Sequence, residues 1–157
     1  MRESIGGSML LYIVLIFVVV VMLLFSSILT YSKAYKIKNR IIEIIEKYEN
    51  YGKEMAEGEI NSDLATSGYN ASDPDKCDKV YETLTSSEGK YNEEKLETNI
   101  NNYGYNYCVF KANDVDKQYY YVVVTFVEFQ MPIIGDALTF PVYGETKILG
   151  KSYKYVN

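Results

Sequence analysis

Residues 9–25 (MLLYIVLIFVVVVMLLF) are apolar without a break, and Ser26, Ser27, Ile28 and Leu29 lengthen the run without adding a charge. As a helix, residues 9–29 rise about 32 Å, enough to cross a hydrocarbon core of about 30 Å. A secretory signal peptide would have an apolar stretch of only about 7–15 residues, closed by small residues at a cleavage site. Here Ser26-Ser27 is followed at once by Ile28 and Leu29, and then by a helical pattern. Ile37, Ile41, Ile44, Ile45, Tyr48, Tyr51 and Met55 recur at steps of three and four, with Lys38, Arg40, Glu43, Glu46, Lys47, Glu49 and Lys53 largely between them. Neither proline nor glycine interrupts residues 8–51. This predicts one long helix: a short leader over 1–8, a transmembrane segment over 9–29 and an amphipathic continuation over 30–58, ending near Gly52 to Gly58.

Residues 59–157 are predicted to form a small α+β head. Residues 59–75 (EINSDLATSGYNASDPD) are polar and broken by Gly68 and Pro74, and read as a loop. Asp73 and Pro74 would start a short helix over 75–87, with Cys77, Val80, Tyr81 and Leu84 on one face. A second short helix over 92–101 would bury Leu96 and Ile100. From Tyr105 the apolar period becomes two. Residues 105–112 and 117–130 form a predicted hairpin around the turn residues Asn113, Asp114, Val115 and Asp116. Tyr119, Tyr121, Val123, Thr125, Val127 and Phe129 take one face of the long strand; Tyr120, Val122, Val124 and Phe126 take the other. Two apolar faces predict a central strand, covered by the long helix on one side. Pro132 and Gly135 stop that strand, and residues 138–149 supply one more, irregular at Pro141 and Gly144.

Composition narrows the chemistry. The net charge is −5, and no basic stripe suggests a nucleic-acid surface. Histidine is absent, which removes Ser/His/Asp and Cys/His catalytic arrangements and every His-ligated metal site. No nucleophile–base pair or glycine-rich phosphate loop stands out, so the reading is non-enzymatic, with no cofactor and no metal. Asp73, Asp75 and Asp78 lack the glycine-centred calcium loop and read as helix-capping carboxylates. Cys77 and Cys108 are too few for zinc. They suit either one disulfide tying helix to sheet or two buried thiols. The 17 tyrosines suit half-buried sheet faces and interfaces, and equally reflect a bias towards Lys, Ile, Asn and Tyr.

The opening RESIGGSMLLYIVLIFVVVV and the late YYYVVVTFVEFQMPIIGDALTFPVYGETKIL resemble the type IV pilin superfamily, and within it the TadE-like minor pilins or pseudopilins of tight-adherence pili. Residues 59–102 carry no part of the likeness. The resemblance implies a pilin-like fold: a long N-terminal helix on a small antiparallel sheet. It implies a structural or assembly subunit whose partners are the membrane and other pilin-like subunits, met through the N-terminal helix at Leu11, Tyr12, Leu15, Val18, Val19 and Met22. It also implies a prepilin-type processing point at Gly7 and Ser8, and a head outside the cytoplasm. The family's glutamate five residues into the mature chain falls on Tyr12. Lys33, Lys36, Lys38 and Arg40 follow the span, whereas Arg2 and the α-amino group precede it, which on the positive-inside rule favours a cytoplasmic head. The alternative is a single-pass accessory or sensor protein whose head binds a partner or ligand. No small-molecule ligand is identified.

Overall fold

The computed structural model describes residues 2–52, 54–67, 69, 76–86, 91, 95–97, 107–113, 118–130 and 137–151. Helix α1 (Arg2–Tyr48) is continuous, so Gly6, Gly7 and Ser8 are already helical. It is long and apolar enough to cross a membrane, and none of its most apolar stretch is covered by the rest of the chain. Such a run of Val and Ile is a modest helix former in water. Within hydrocarbon, however, a helix satisfies every backbone group internally.

α1 stops at Tyr48, earlier than its apolar spacing implies. Glu49 takes a left-handed conformation, φ 54°, at the position that closes a helix. One local bond and two from the distant strand β2 (Gln118–Gln130) hold the turn. The Gly52 N–H donates to Asn50 Oδ1 at 3.1 Å, the Tyr121 hydroxyl donates to the same oxygen at 2.8 Å, and the Tyr119 hydroxyl donates to the Glu49 carbonyl at 3.1 Å. A second helix, α2 (Glu54–Ser67), then returns along α1. This element corrects the expected loop over 59–75 at residues 59–67, residues 68 and 70–75 lying outside the described residues, and it corrects the expected helical continuation of α1 to residue 58. Ala56, Ile60 and Leu64, four residues apart, are its buried seam. Gly58 faces open space, so its helix penalty is not compounded by a packing defect.

Helix α3 (Lys76–Thr85) forms where the short helix was expected, with Cys77, Val80 and Leu84 buried. The second short helix, over 92–101, is corrected at the residues described. Leu96 is buried and forms an antiparallel bridge with Ala112. The Glu97 N–H donates to the Lys111 carbonyl and the Asn113 N–H to the Lys95 carbonyl, each at 2.8 Å. Ile100 and residues 92–94 lie outside the described residues.

The sheet contains β1 (Tyr107–Asn113), β2 (Gln118–Gln130), β3 (Ala137–Glu145) and the short β4 (Gly150–Lys151), all antiparallel, with β2 central. One face carries Tyr107, Val109, Tyr121, Val123, Val127 and Val142 against Ala34, Ile37, Ile41, Ile44 and Ile45 of α1 and the seam of α2. The other carries Cys108, Phe110, Val122, Val124 and Phe126 against α3, Tyr91 and Leu96. The fold is therefore α+β, and the doubly apolar central strand is sandwiched as its sequence predicts.

Two details place the strands. Gly144 lies under α1 so closely that a Cβ there would stand 2.7 Å from both Ile42 Cδ1 and Lys38 Cδ. Pro141 sits opposite Phe126 on the edge strand. The Phe126 N–H and carbonyl turn the other way, to the Tyr69 hydroxyl, at 2.7 and 3.1 Å. Pro141 is thus at a position where its missing N–H breaks no ladder bond.

Candidate assembly surface and the cleft beside it

The residues expected to mediate helix packing, Leu11, Tyr12, Leu15, Val18, Val19 and Met22, are 45–67% exposed. They do not form a stripe, because the whole circumference from Met9 to Phe25 is apolar. A helix apolar all round is one whose solvent is lipid or other apolar helices. Within it, the Ser27 hydroxyl donates to the Leu23 carbonyl at 2.8 Å and the Thr30 hydroxyl to the Ser26 carbonyl at 2.9 Å. Their polar groups are thereby satisfied within the helix, and they need no partner helix.

The change of environment is abrupt. Leu29 is 69% exposed, whereas Ala34 is 1% exposed, with its carbonyl accepting a 3.1 Å bond from the buried Thr125 hydroxyl. An aromatic and cationic collar surrounds this transition. Tyr31 and Tyr35 stack with ring centroids 6.4 Å apart, and Lys38 Nζ lies 4.2 Å from the Tyr35 ring. Such residues are enriched where a span meets water. Of the four cations behind the span, Lys38 is buried and its ammonium donates to the Tyr143 carbonyl at 3.4 Å. Arg40 is tied to Asp63, Glu43 and Glu59 at 2.7, 3.0 and 3.3 Å. These two therefore have structural roles that do not depend on membrane topology.

The Arg40 network clamps α2 onto α1. Glu59 also accepts from Lys47 at 2.8 Å and from the Tyr48 hydroxyl at 2.9 Å. Those bonds, Lys47 first, hold the Glu59 carboxyl below its usual pKa, and they raise that of Lys47. The hydrogen bond that Arg40 donates to Asp63 leads the corresponding upward shift of Arg40. Beneath this clamp a cleft of about 220 Å³ opens between the helices. Ile37, Ile41, Ile44, Ile60 and Leu64 form its walls, with Lys36, Arg40 and Asp63 at its mouth. Sequence reasoning missed the cleft because it missed α2. The available signal was the four-residue spacing of Ala56, Ile60 and Leu64.

Cys77 and Cys108 form a disulfide between α3 and β1, with Cα atoms 5.6 Å apart. Gly7 and Ser8 lie on α1, near its start. Among the described residues no three Cys, Asp or Glu side chains converge to hold a metal ion. Asp78 is exposed in the first turn of α3, and Asp73 and Asp75 lie outside the described residues. Most of the described tyrosines in the head have architectural partners. Tyr51 and Tyr107 share a 3.0 Å hydroxyl contact, Tyr81 donates to the Leu96 carbonyl at 3.2 Å and Tyr91 donates to Glu145.

The arrangement defines a class: a disulfide-bonded α+β head built around the C-terminal half of a helix whose N-terminal half fits a single membrane span. No known protein family, curated protein or solved structure matches the chain.

Proposed function

We propose that this chain is a pilin-like structural subunit, of the minor-pilin or pseudopilin kind, serving a type IV or tight-adherence-type pilus or a related secretion apparatus. The observation that carries the reading is the division of α1. Its C-terminal half is the core of the head, while residues 9–25, apolar on every side, are left uncovered by the other described residues. Burying that half against like helices would convert lipid contacts into packing contacts while the head stays rigidly attached. The disulfide supports a head outside the cytoplasm, where thiols are not kept reduced. Lys38 and Arg40 are held by partners within the head, so their place behind the span does not by itself argue for the opposite orientation.

A second reading has its own observation. Tyr12 stands where the pilin glutamate would be, and the α1–α2 cleft could receive an apolar group. Both suit a single-pass accessory or sensor protein that stays in the membrane.

Intact mass of the protein recovered from its native membrane, with and without alkylation before reduction, separates the two. The assembly reading expects loss of residues 1–7 and no alkylated thiol. A full-length chain with two alkylated thiols overturns it and selects an anchored protein with its head in the cytoplasm.

A further inference from the structure

The helix and the central strand run almost antiparallel. Thr125 touches Ala34 and Tyr119 touches Glu49, through bonds of 3.1 Å each. The six residue steps along the strand between those points cover about 20 Å, and the fifteen along the helix about 22 Å. Beyond Thr125, β2 continues for five more residues to Gln130, which pairs with Ala137 of β3. That adds about 17 Å towards the N-terminus of α1, equivalent to about eleven helical residues. The β2–β3 end of the sheet therefore lies level with the last two turns of the apolar segment, past the Tyr31–Tyr35 collar.

Its chemistry matches that depth. Phe140, paired with Val127, is 51% exposed. Val142 on the same strand is buried against α1, so Phe140, two residues away, shares the α1 side of the sheet. Glu128, at the same end, is ion-paired with Lys76 at 2.7 Å, with both side chains less than one-fifth exposed. Within β3 the one charged residue is Glu145, at the opposite end of the strand. A strand end whose Glu128 carboxylate is ion-paired and whose Phe140 is half exposed suits a low-dielectric boundary better than water.

We propose that the β2–β3 end of the sheet is a second membrane contact, which rests in the bilayer interface beside the span and holds the head flat against the lipid. This rests on α1 crossing the bilayer, and the test separates the two. The chain has no tryptophan, so each substitution places a single reporter in the full-length protein. Phe140→Trp reports the sheet end, and Leu138→Trp, whose position pairs with Phe129, probes further along it. Leu15→Trp reports mid-span, and Met55→Trp, at a site 73% exposed on α2, reports the water-facing side of the head. The protein is reconstituted in phosphatidylcholine–phosphatidylglycerol vesicles containing lipids brominated either near the headgroup or deep in the chain. Emission is also titrated with aqueous acrylamide.

The proposal expects Phe140→Trp to be quenched by shallow bromine and protected from acrylamide, with Leu138→Trp quenched at least as strongly. Met55→Trp should show the reverse, and Leu15→Trp should be quenched by deep bromine. If Phe140→Trp and Leu138→Trp respond like Met55→Trp while Leu15→Trp stays deep, the second contact is overturned and the span stands. If both are shielded from acrylamide and from bromine alike, the sheet end is covered by protein, a second copy included, and the proposal is also overturned. Failure of Leu15→Trp to respond to deep bromine removes the span and the inference with it.

Discussion

Replacing Tyr69 with Phe tests the sheet's construction at one oxygen atom. Tyr69 is 8% exposed, and its hydroxyl both donates to the Phe126 carbonyl and accepts from the Phe126 N–H. β1 begins at Tyr107, which pairs with Thr125, so the Tyr69 hydroxyl stands in for a strand residue just beyond the described end of β1. Tyr69→Phe leaves the ring in place and deprives a buried N–H and a buried carbonyl of their partner. Each such group costs about 1–3 kcal/mol, partly offset because the hydroxyl itself no longer needs to be desolvated. A net loss of about 2–3 kcal/mol corresponds to a fall in Tm of roughly 10–20 °C for a domain of this size. Thermal unfolding of the full chain in detergent micelles, followed by near-ultraviolet circular dichroism, measures it, and hydrogen exchange at the Phe126 amide localises it. An unchanged Tm with unchanged protection at Phe126 would refute the reasoning. The same hydroxyl gives an alkaline signature. Burial, the largest cause, pushes the Tyr69 pKa up to about 12 from 10.0. The folded state thus holds its proton more tightly, so the stabilisation is complete below pH 10 and is lost as pH rises towards 12. Tyr69→Phe should flatten that part of the stability–pH curve.

Three further expectations follow from the packing. Replacing Cys77 and Cys108 with Ser opens a cross-link of sequence separation 31 and should cost roughly 3–4 kcal/mol, read as a lower denaturant midpoint with little change in the helical signal of α1. An unshifted midpoint would show that the bridge does not stabilise the fold. Gly144→Val forces atoms into Lys38 and Ile42 and should destabilise by about 1–3 kcal/mol, whereas the same change at Gly58, which faces open space, should alter only local helix propensity. Equal losses at the two sites would deny the close approach of β3 to α1. The lowered pKa of Glu59 means its contribution is present above the ordinary carboxylate range and is lost as pH falls through the folded value. Amide exchange in α2 should therefore quicken below about pH 4.5. It should quicken at neutral pH in Arg40→Ala, and α2 amides indifferent to both changes would show that the ion network does not hold the helix down.

How much of this was legible in the chain depends on which signals are local. The uninterrupted apolar run over 9–29 dictates a helix suited to lipid. The two-residue alternation over 119–127 dictates a strand with two apolar faces. The Cys77–Val80–Leu84 spacing dictates the covering helix α3. These are one-dimensional patterns that hold wherever the neighbours lie, so the α+β architecture could be read directly. Other features required the neighbours. The stop at Tyr48 depends on hydroxyls supplied by Tyr119 and Tyr121 from about seventy residues away, while the apolar spacing itself runs on through Tyr51 and Met55. α2 has only a thin seam of Ala56, Ile60 and Leu64, too weak to register until α1 and the sheet provide something to bury it against. Leu96 is extended because its neighbours Glu97 and Lys95 make ladder bonds with the Lys111 carbonyl and the Asn113 N–H, and a lone leucine in a polar stretch has no period of its own. The α1–α2 cleft, the Arg40 clamp, the substitute strand contact of Tyr69 and the membrane-facing end of β2–β3 share that dependence. Periodicity specifies what each segment can become, whereas hydrogen bonds and close contacts between distant segments decide where it stops and which surface remains uncovered.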